Sequence, residues 1–170
     1  VRSEINLIYS QGYNPHPRLS LPLPKSVGLA SEDELFCVQI SGAAGTTAEQ
    51  NKELYKRISA QLPEGFVLTE LIIHDERIAY RPLEAEYLIR FEDEKELEEI
   101  WAQADKGSVK TADVGGFIKS VEQTGEGVRV VCKITDKGTI RPDETARLLG
   151  LKPESVGVSM SRKKVVWQTN

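Results

Sequence analysis

Two strand-like runs, Phe117 to Gln123 and Val128 to Ile134, are separated only by Thr124-Gly125-Glu126-Gly127. A parallel crossover takes about a dozen residues or more, so runs this close together can pair only as an antiparallel hairpin. The surrounding pattern extends the hairpin into a series. Ala85 to Phe91 reads as a strand, and Asp93 caps a helix whose inward face includes Leu97, Ile100 and Trp101 before Gly107 closes it. Beyond the hairpin, Pro142 occupies the first turn of a second helix, with Leu148 and Leu149 inward and Gly150 at its end, and Lys164 to Gln168 is the last strand. Strand, helix, strand, strand, helix, strand is the order of a ferredoxin-like split βαβ unit.

The earlier half shows the end of a similar series. An extended segment near Leu7 to Tyr9 is followed by a strand from Glu34 to Ile40. Thr46 or Thr47 then opens a helix, with Glu49 and Gln50 positioned for a capping box and Leu54, Ile58 and Leu62 on one face. Pro63-Glu64-Gly65 stops that helix, and Phe66 to Ile73 reads as another strand. The expectation is an α+β protein of two ferredoxin-like (βαββαβ) halves in tandem, residues 1–75 and 84–170, the first lacking its opening strand and helix. Val1-Arg2-Ser3-Glu4 carries no initiator Met and looks like a helix tail, so upstream sequence is expected to be absent.

Hydrophobic residues make up 39% of the chain and charged residues 28%, a balance that supports a packed core with a solvated surface. No apolar run approaches the roughly 20 residues of a membrane-spanning helix, and the N-terminus lacks a charged-then-apolar signal pattern. A soluble, cytoplasmic protein without membrane contact is expected. Cys37 and Cys132 each lie in an apolar strand-like stretch, which suits buried thiols of a reducing compartment better than a disulfide. Charge is divided unevenly. Residues 1–105 carry −9 (10 Lys and Arg against 19 Asp and Glu), and residues 106–170 carry +5 (12 against 7). Any polyanion would therefore be drawn to the C-terminal part.

Within that part, Arg162-Lys163-Lys164 with Trp167, backed by Arg141, is the candidate phosphate-contacting surface, because it joins cations to an aromatic able to stack on a base. The competing reading is an edge strand protected by its cations, with Trp167 in the core. The other candidate is Tyr9 to Ser20. Prolines at 15, 17, 22 and 24 stiffen this region, and Gln11, Tyr13, Asn14, His16 and Arg18 offer amide, hydroxyl, imidazole and guanidinium groups for a ligand. A proline-rich connector with local turn bonds is the alternative there.

Ser10-Gln11-Gly12-Tyr13-Asn14-Pro15-His16-Pro17-Arg18-Leu19-Ser20, with Pro22-Leu23-Pro24, Val27-Gly28 and Ser31-Glu32 after it, resembles the signature of the radical-SAM-linked family of unknown function. The likeness is close over about residues 1–40 and looser through Gly138-Thr139-Ile140-Arg141-Pro142-Asp143-Glu144. Members of that family occur beside, or fused to, cobalamin-binding radical SAM proteins in bacteria. Lys25-Ser26 interrupts what is usually a more apolar Pro-Leu-Gly run. The resemblance implies a partner that is a radical SAM protein, not radical chemistry in this chain, since a cluster site needs three closely spaced cysteines. No metal site is expected, because His16 and His74 complete no ligand pair at a recognised spacing, and Gly125-Glu126-Gly127 lacks the Gly-Lys-Ser/Thr of a phosphate loop. No cofactor is expected either.

The leading expectation is an accessory domain that recognises structured RNA or a ribonucleoprotein for a radical SAM partner. An RNA-cleaving or RNA-modifying enzyme with His16 as general base is one alternative. A protein-interaction module that never touches RNA is the other. Oligomeric state is not legible in the sequence.

Overall fold

Gly127 closes the expected hairpin with a backbone that only glycine tolerates there. Its φ is +143°, and a Cβ at this position would lie 2.0 Å from the carbonyl oxygen of Ile89. The turn joins β5 (Ile118–Thr124) to β6 (Gly127–Lys133), which pair antiparallel as expected. The computed structural model describes residues 5–42, 45–90, 116–141, 144–145 and 160–170. Among them are one helix and a mostly antiparallel five-stranded sheet, a mixed α+β architecture. The chain divides into two units that alternate along it: Val1–Leu21, Phe36–Ala79 and Asn170 form one, and Pro22–Leu35 with Tyr80–Thr169 the other.

The second unit holds the sheet, in the order β2-β7-β4-β6-β5. Here β4 is Tyr80–Ile89, β7 is Met160–Thr169 and β2 is the two residues Ala30–Ser31. β4 pairs antiparallel with both β6 and β7, whereas β2 lies parallel to β7 at its edge. Alternation decides which face is dry: Ala85, Tyr87 and Ile89 of β4 and Val128, Val130 and Cys132 of β6 are buried together with Leu29, Ile118, Ile140 and Met160. Glu84, Glu86, Arg129 and Lys133 occupy the other face, with Arg129 paired to Glu86 at 3.2 Å and Lys119 to Glu84 at 2.7 Å.

Several expectations change. β4 begins at Tyr80, ahead of the strand expected from Ala85; the register shift between Pro82 and Glu84 is where a residue without an amide hydrogen fits an interior strand. β7 is twice the length expected from Lys164 to Gln168. The early strand edge β2 was not expected, because its two residues reach strand geometry only by bonding to a partner about 130 positions later. The helix expected after Asp93 lies outside the described residues, and of the one expected at Pro142 only Glu144 and Thr145 are described, both helical, with Thr145 N–H donating to Arg141 C=O at 2.9 Å.

In the first unit, three chain segments meet at a closed ring of backbone hydrogen bonds. Ile8 N–H donates to Gln39 C=O (2.9 Å), Gln39 N–H to Arg18 C=O (2.9 Å) and Arg18 N–H to Ile8 C=O (2.8 Å). Each segment thus satisfies the other two. From this junction β1 (Leu19–Ser20) and β3 (Cys37–Val38) continue as an antiparallel pair, while Leu7 bridges Ile40 and Tyr9 bridges Pro17. The strand expected from Glu34 to Ile40 is therefore reduced to β3 and a bridge, its first residues belonging to the other unit. Helix α1 (Ala48–Ser59) starts at the expected capping box: Thr47 Oγ1 accepts from Gln50 N–H (3.3 Å) and Gln50 Oε1 from Thr47 N–H (2.8 Å). Residues 66–73 are not a strand, and among the described residues no strand pairs with them; the Tyr55 hydroxyl donates to Leu68 C=O. None of the described residues of this unit is fully buried.

Candidate functional site

The proline-rich segment is a braced hairpin. Ser10 N–H donates to His16 C=O (2.8 Å) and His16 N–H returns to Ser10 Oγ (3.0 Å), so the loop from Gln11 to Pro15 is pinched at its base by two bonds. Pro15 and Pro17 fix φ on the returning arm, and Gly12 turns the outgoing one at φ +138°. Tyr13 at the tip is completely exposed, and Gln11, Asn14, His16 and Arg18 are exposed around it. The five residues singled out for a ligand are thus gathered on one loop and its base.

Pairing sorts the side chains of this unit into two sides, because directly opposed residues share a side and neighbours along a strand alternate. Leu7, Tyr9, Pro17, Leu19, Val38 and Ile40 fall on one side by their bridges. Tyr9 is 45% exposed and Leu19 54%, and Phe36 and Leu21, next along the same side, are 59% and 42%. Single exposed apolar residues are ordinary, but this set is contiguous. Ser10, His16, Arg18 and Gln39 fall on the other side, with Ile8, 37% exposed, between them. There Arg18 Nη1 reaches Gln39 Oε1 at 3.5 Å. Gln39 was missed by sequence reasoning, since it stands 21 residues from Arg18 and only the junction brings the two together.

The C-terminal basic run is dispersed. β4 and β7 pair Glu86 with Lys164 but Tyr87 with Arg162, so Lys163 is the extra residue of a bulge. The bulge turns Arg162 to the core side. Arg162 is 1% exposed; its guanidinium donates to Leu23 C=O (3.0 Å) and Ser31 Oγ (3.3 Å) and is ion-paired with Glu34. Lys163 pairs with Glu32, and Asp33 accepts the Val165 N–H at 2.7 Å. The acidic triplet Glu32-Asp33-Glu34 therefore clamps β7, a complementarity with Arg162-Lys163-Lys164 that was present in the sequence as two unconnected charge runs. Arg162 is removed from the surface on which it was expected to meet phosphate, because burial and three acceptors occupy its donors. Lys164 is exposed on the sheet's outer face beside Glu84 and Glu86. Trp167 is half-buried on the opposite side, opposed to Pro82. Arg141 is exposed. These five residues do not form one cationic platform.

Desolvation holds two buried groups of the second unit, Cys132 and Tyr87, in their neutral forms. Burial pushes the Cys132 thiol up to about 11, with a hydrogen bond to Thr145 opposing it, and raises the Tyr87 phenol against the pull of Arg162. Both cysteines are free, Cys37 half-buried with its thiol also raised by burial. Among the described residues no three His, Cys, Asp or Glu side chains are grouped to hold a metal, and no helix is long and apolar enough to cross a membrane.

Fold and site together define an α+β domain that displays a rigid polar and aromatic hairpin. The chain belongs to the family described as uncharacterised proteins conserved in bacteria (DUF2344), whose model matches residues 1–142 and so includes the hairpin, its three-segment junction and β4 to β6. No curated protein and no solved structure matched the chain.

Proposed function

We propose that this chain is a non-catalytic accessory domain of the bacterial cytoplasm that docks a partner protein through the Tyr9–Arg18 hairpin. The observation that carries this reading is Tyr13, wholly exposed at the tip of a loop whose base and returning arm are fixed. A rigid tyrosine contributes contact area at low entropic cost, and Ser, Gly and Asn around it supply adaptable hydrogen bonds. The apolar side formed by Tyr9, Leu19, Val38 and Phe36 supplies further area for burial. The family resemblance supports a cobalamin-binding radical SAM protein as the partner. The strand order β7-β4-β6-β5 supports a ferredoxin-like reading of residues 84–170, with residues 1–75 as its partial counterpart.

Recognition of structured RNA is the second reading, favoured by Tyr13 beside Asn14 and Arg18, groups that stack on bases and read their edges. Charge weighs against it. In the first unit Arg18, Lys52, Lys56, Arg57 and Arg77 are offset by Glu49, Glu53, Glu64, Glu70, Asp75 and Glu76, and the basic run of β7 is largely engaged with carboxylates. Catalysis by His16 has no assembled nucleophile or orienting group in its support among the described residues.

The test is equilibrium binding to a purified radical SAM protein encoded beside a family member, with and without nuclease. Nuclease-insensitive binding that Tyr13→Ala weakens by about 2 kcal/mol or more, the scale of an interface anchor, is the expected result. Binding lost on nuclease treatment, or indifferent to Tyr13→Ala, would reject the reading.

A further inference from the structure

The side of the hairpin opposite the apolar stripe carries a set of donors around Ile8. Ser10 Oγ already accepts the His16 N–H, so its own hydroxyl hydrogen is left to donate outward. Gln39 Oε1 faces Arg18, which leaves its amide NH₂ as a donor. Arg18 adds a planar fork, and the imidazole of His16, two residues away on the same strand, adds a ring N–H. Directly opposed residues have Cβ atoms about 5 Å apart, so Ser10 opposite His16 and Gln39 opposite Arg18 form one small patch. The patch contains no carboxylate. Arg81, Arg90, Arg129 and Arg162 each have an acidic partner, whereas Arg18 has none among the described residues and meets only the neutral Gln39 amide. An exposed guanidinium beside the Ser10 hydroxyl, the Gln39 amide and the His16 ring, with no counter-charge, is matched to an incoming oxyanion.

We propose that Ser10, His16, Arg18 and Gln39 form an oxyanion site that takes a carboxylate of the docked protein, an acidic side chain or a chain terminus. The identity of the carboxylate's bearer rests on the docking reading above; the existence of the site does not. A protein carboxylate is favoured over a nucleic-acid phosphate because a polyanion is gathered by an extended cationic field, and the charges of this unit nearly cancel. Arg18 is the central donor, and Gln39 is a positioning residue that holds it.

The experiment is a two-dimensional amide and side-chain NMR titration of the intact chain with sodium acetate, against sodium chloride at equal ionic strength. Saturable shifts confined to Ser10, His16, Arg18 and Gln39 are expected with acetate and not with chloride. Arg18→Gln should weaken acetate binding about ten-fold, the scale of one charged hydrogen bond, with Arg18→Lys recovering part of it. Lys52→Ala, a cation elsewhere in the unit, should change nothing. An unchanged amide spectrum outside the hairpin shows that the variants fold. Linear shifts, or identical shifts with chloride, would overturn the site. Displacement of acetate by an RNA oligonucleotide far more effectively than by an acidic peptide would overturn the protein carboxylate as its ligand. If acetate binds but Tyr13→Ala leaves partner binding intact, the docking reading falls and the site stands; the reverse pattern removes the site alone.

Discussion

Replacing Glu34 by Gln should destabilise the second unit by about 3 kcal/mol. The substitution conserves size and one acceptor oxygen but removes the negative charge opposite Arg162, a residue 1% exposed whose guanidinium cannot turn to solvent without unseating β7 from Leu23 and Ser31. Breaking a buried pair from one side costs about 3 to 5 kcal/mol because it strands the other charge. The lower end applies, since the Glu34 side chain is 28% exposed and two neutral acceptors remain on Arg162. With a urea dependence of about 2 kcal/mol per molar, the unfolding midpoint should fall by about 1.5 M. The double variant Glu34→Leu with Arg162→Met should recover most of that loss, because an apolar pair of similar volume removes the stranded charge. Urea unfolding followed by circular dichroism measures all three proteins. A loss below about 1 kcal/mol in Glu34→Gln would mean that Arg162 reaches water in solution, and the basic run of β7 would return as a phosphate surface.

Two further outcomes follow from the second unit. Gly127→Ala should cost more than about 3 kcal/mol or prevent folding, because the new Cβ meets the Ile89 carbonyl oxygen at 2.0 Å and backbone cannot yield as a side-chain tip would; Gly125→Ala, which meets nothing within 4 Å, is the control in the same thermal melts. Cys132, raised from about 9 to about 11, binds its proton more tightly folded than unfolded, so its contribution is full below about pH 9 and is lost as pH rises toward 11. Cys132→Ala should remove that alkaline loss, on the order of 3 kcal/mol at most, while in the native protein at pH 8 a thiol reagent should label the half-buried Cys37 well before Cys132.

What the sequence made legible is what local chemistry decides. The four-residue turn at Gly127, the capping box at Thr47 and the alternating apolar residues of β4 and β6 each announce themselves within a few positions, and each was placed. The failures share a cause. β2 exists only because Ser31 and Glu32 meet Arg162, and Gln39 meets Arg18 only through the junction, so neither has a local signal. Arg162 is the sharpest case: three consecutive cations read as a surface, but a single extra residue at Lys163 reverses the side on which Arg162 lies. The hairpin was found as a candidate because prolines, glycine and polar groups cluster there. Its division into an apolar and a donor-rich side required knowing which residue opposes which.

The edge of the sheet sets a timetable for synthesis. Ser31 leaves the ribosome 131 residues before Arg162, the residue that anchors it. At about 5 to 20 residues per second, the segment from Pro22 to Leu35 waits about 7 to 26 s with its acidic triplet unpaired. Prolines at 22 and 24 limit what it can do in that interval, since they disfavour helix and cannot donate to a competing ladder. Ahead of the two residues that take the sheet edge, Ala30 and Ser31, these prolines thus hold the start of the segment away from helix and ladder until β7 is made.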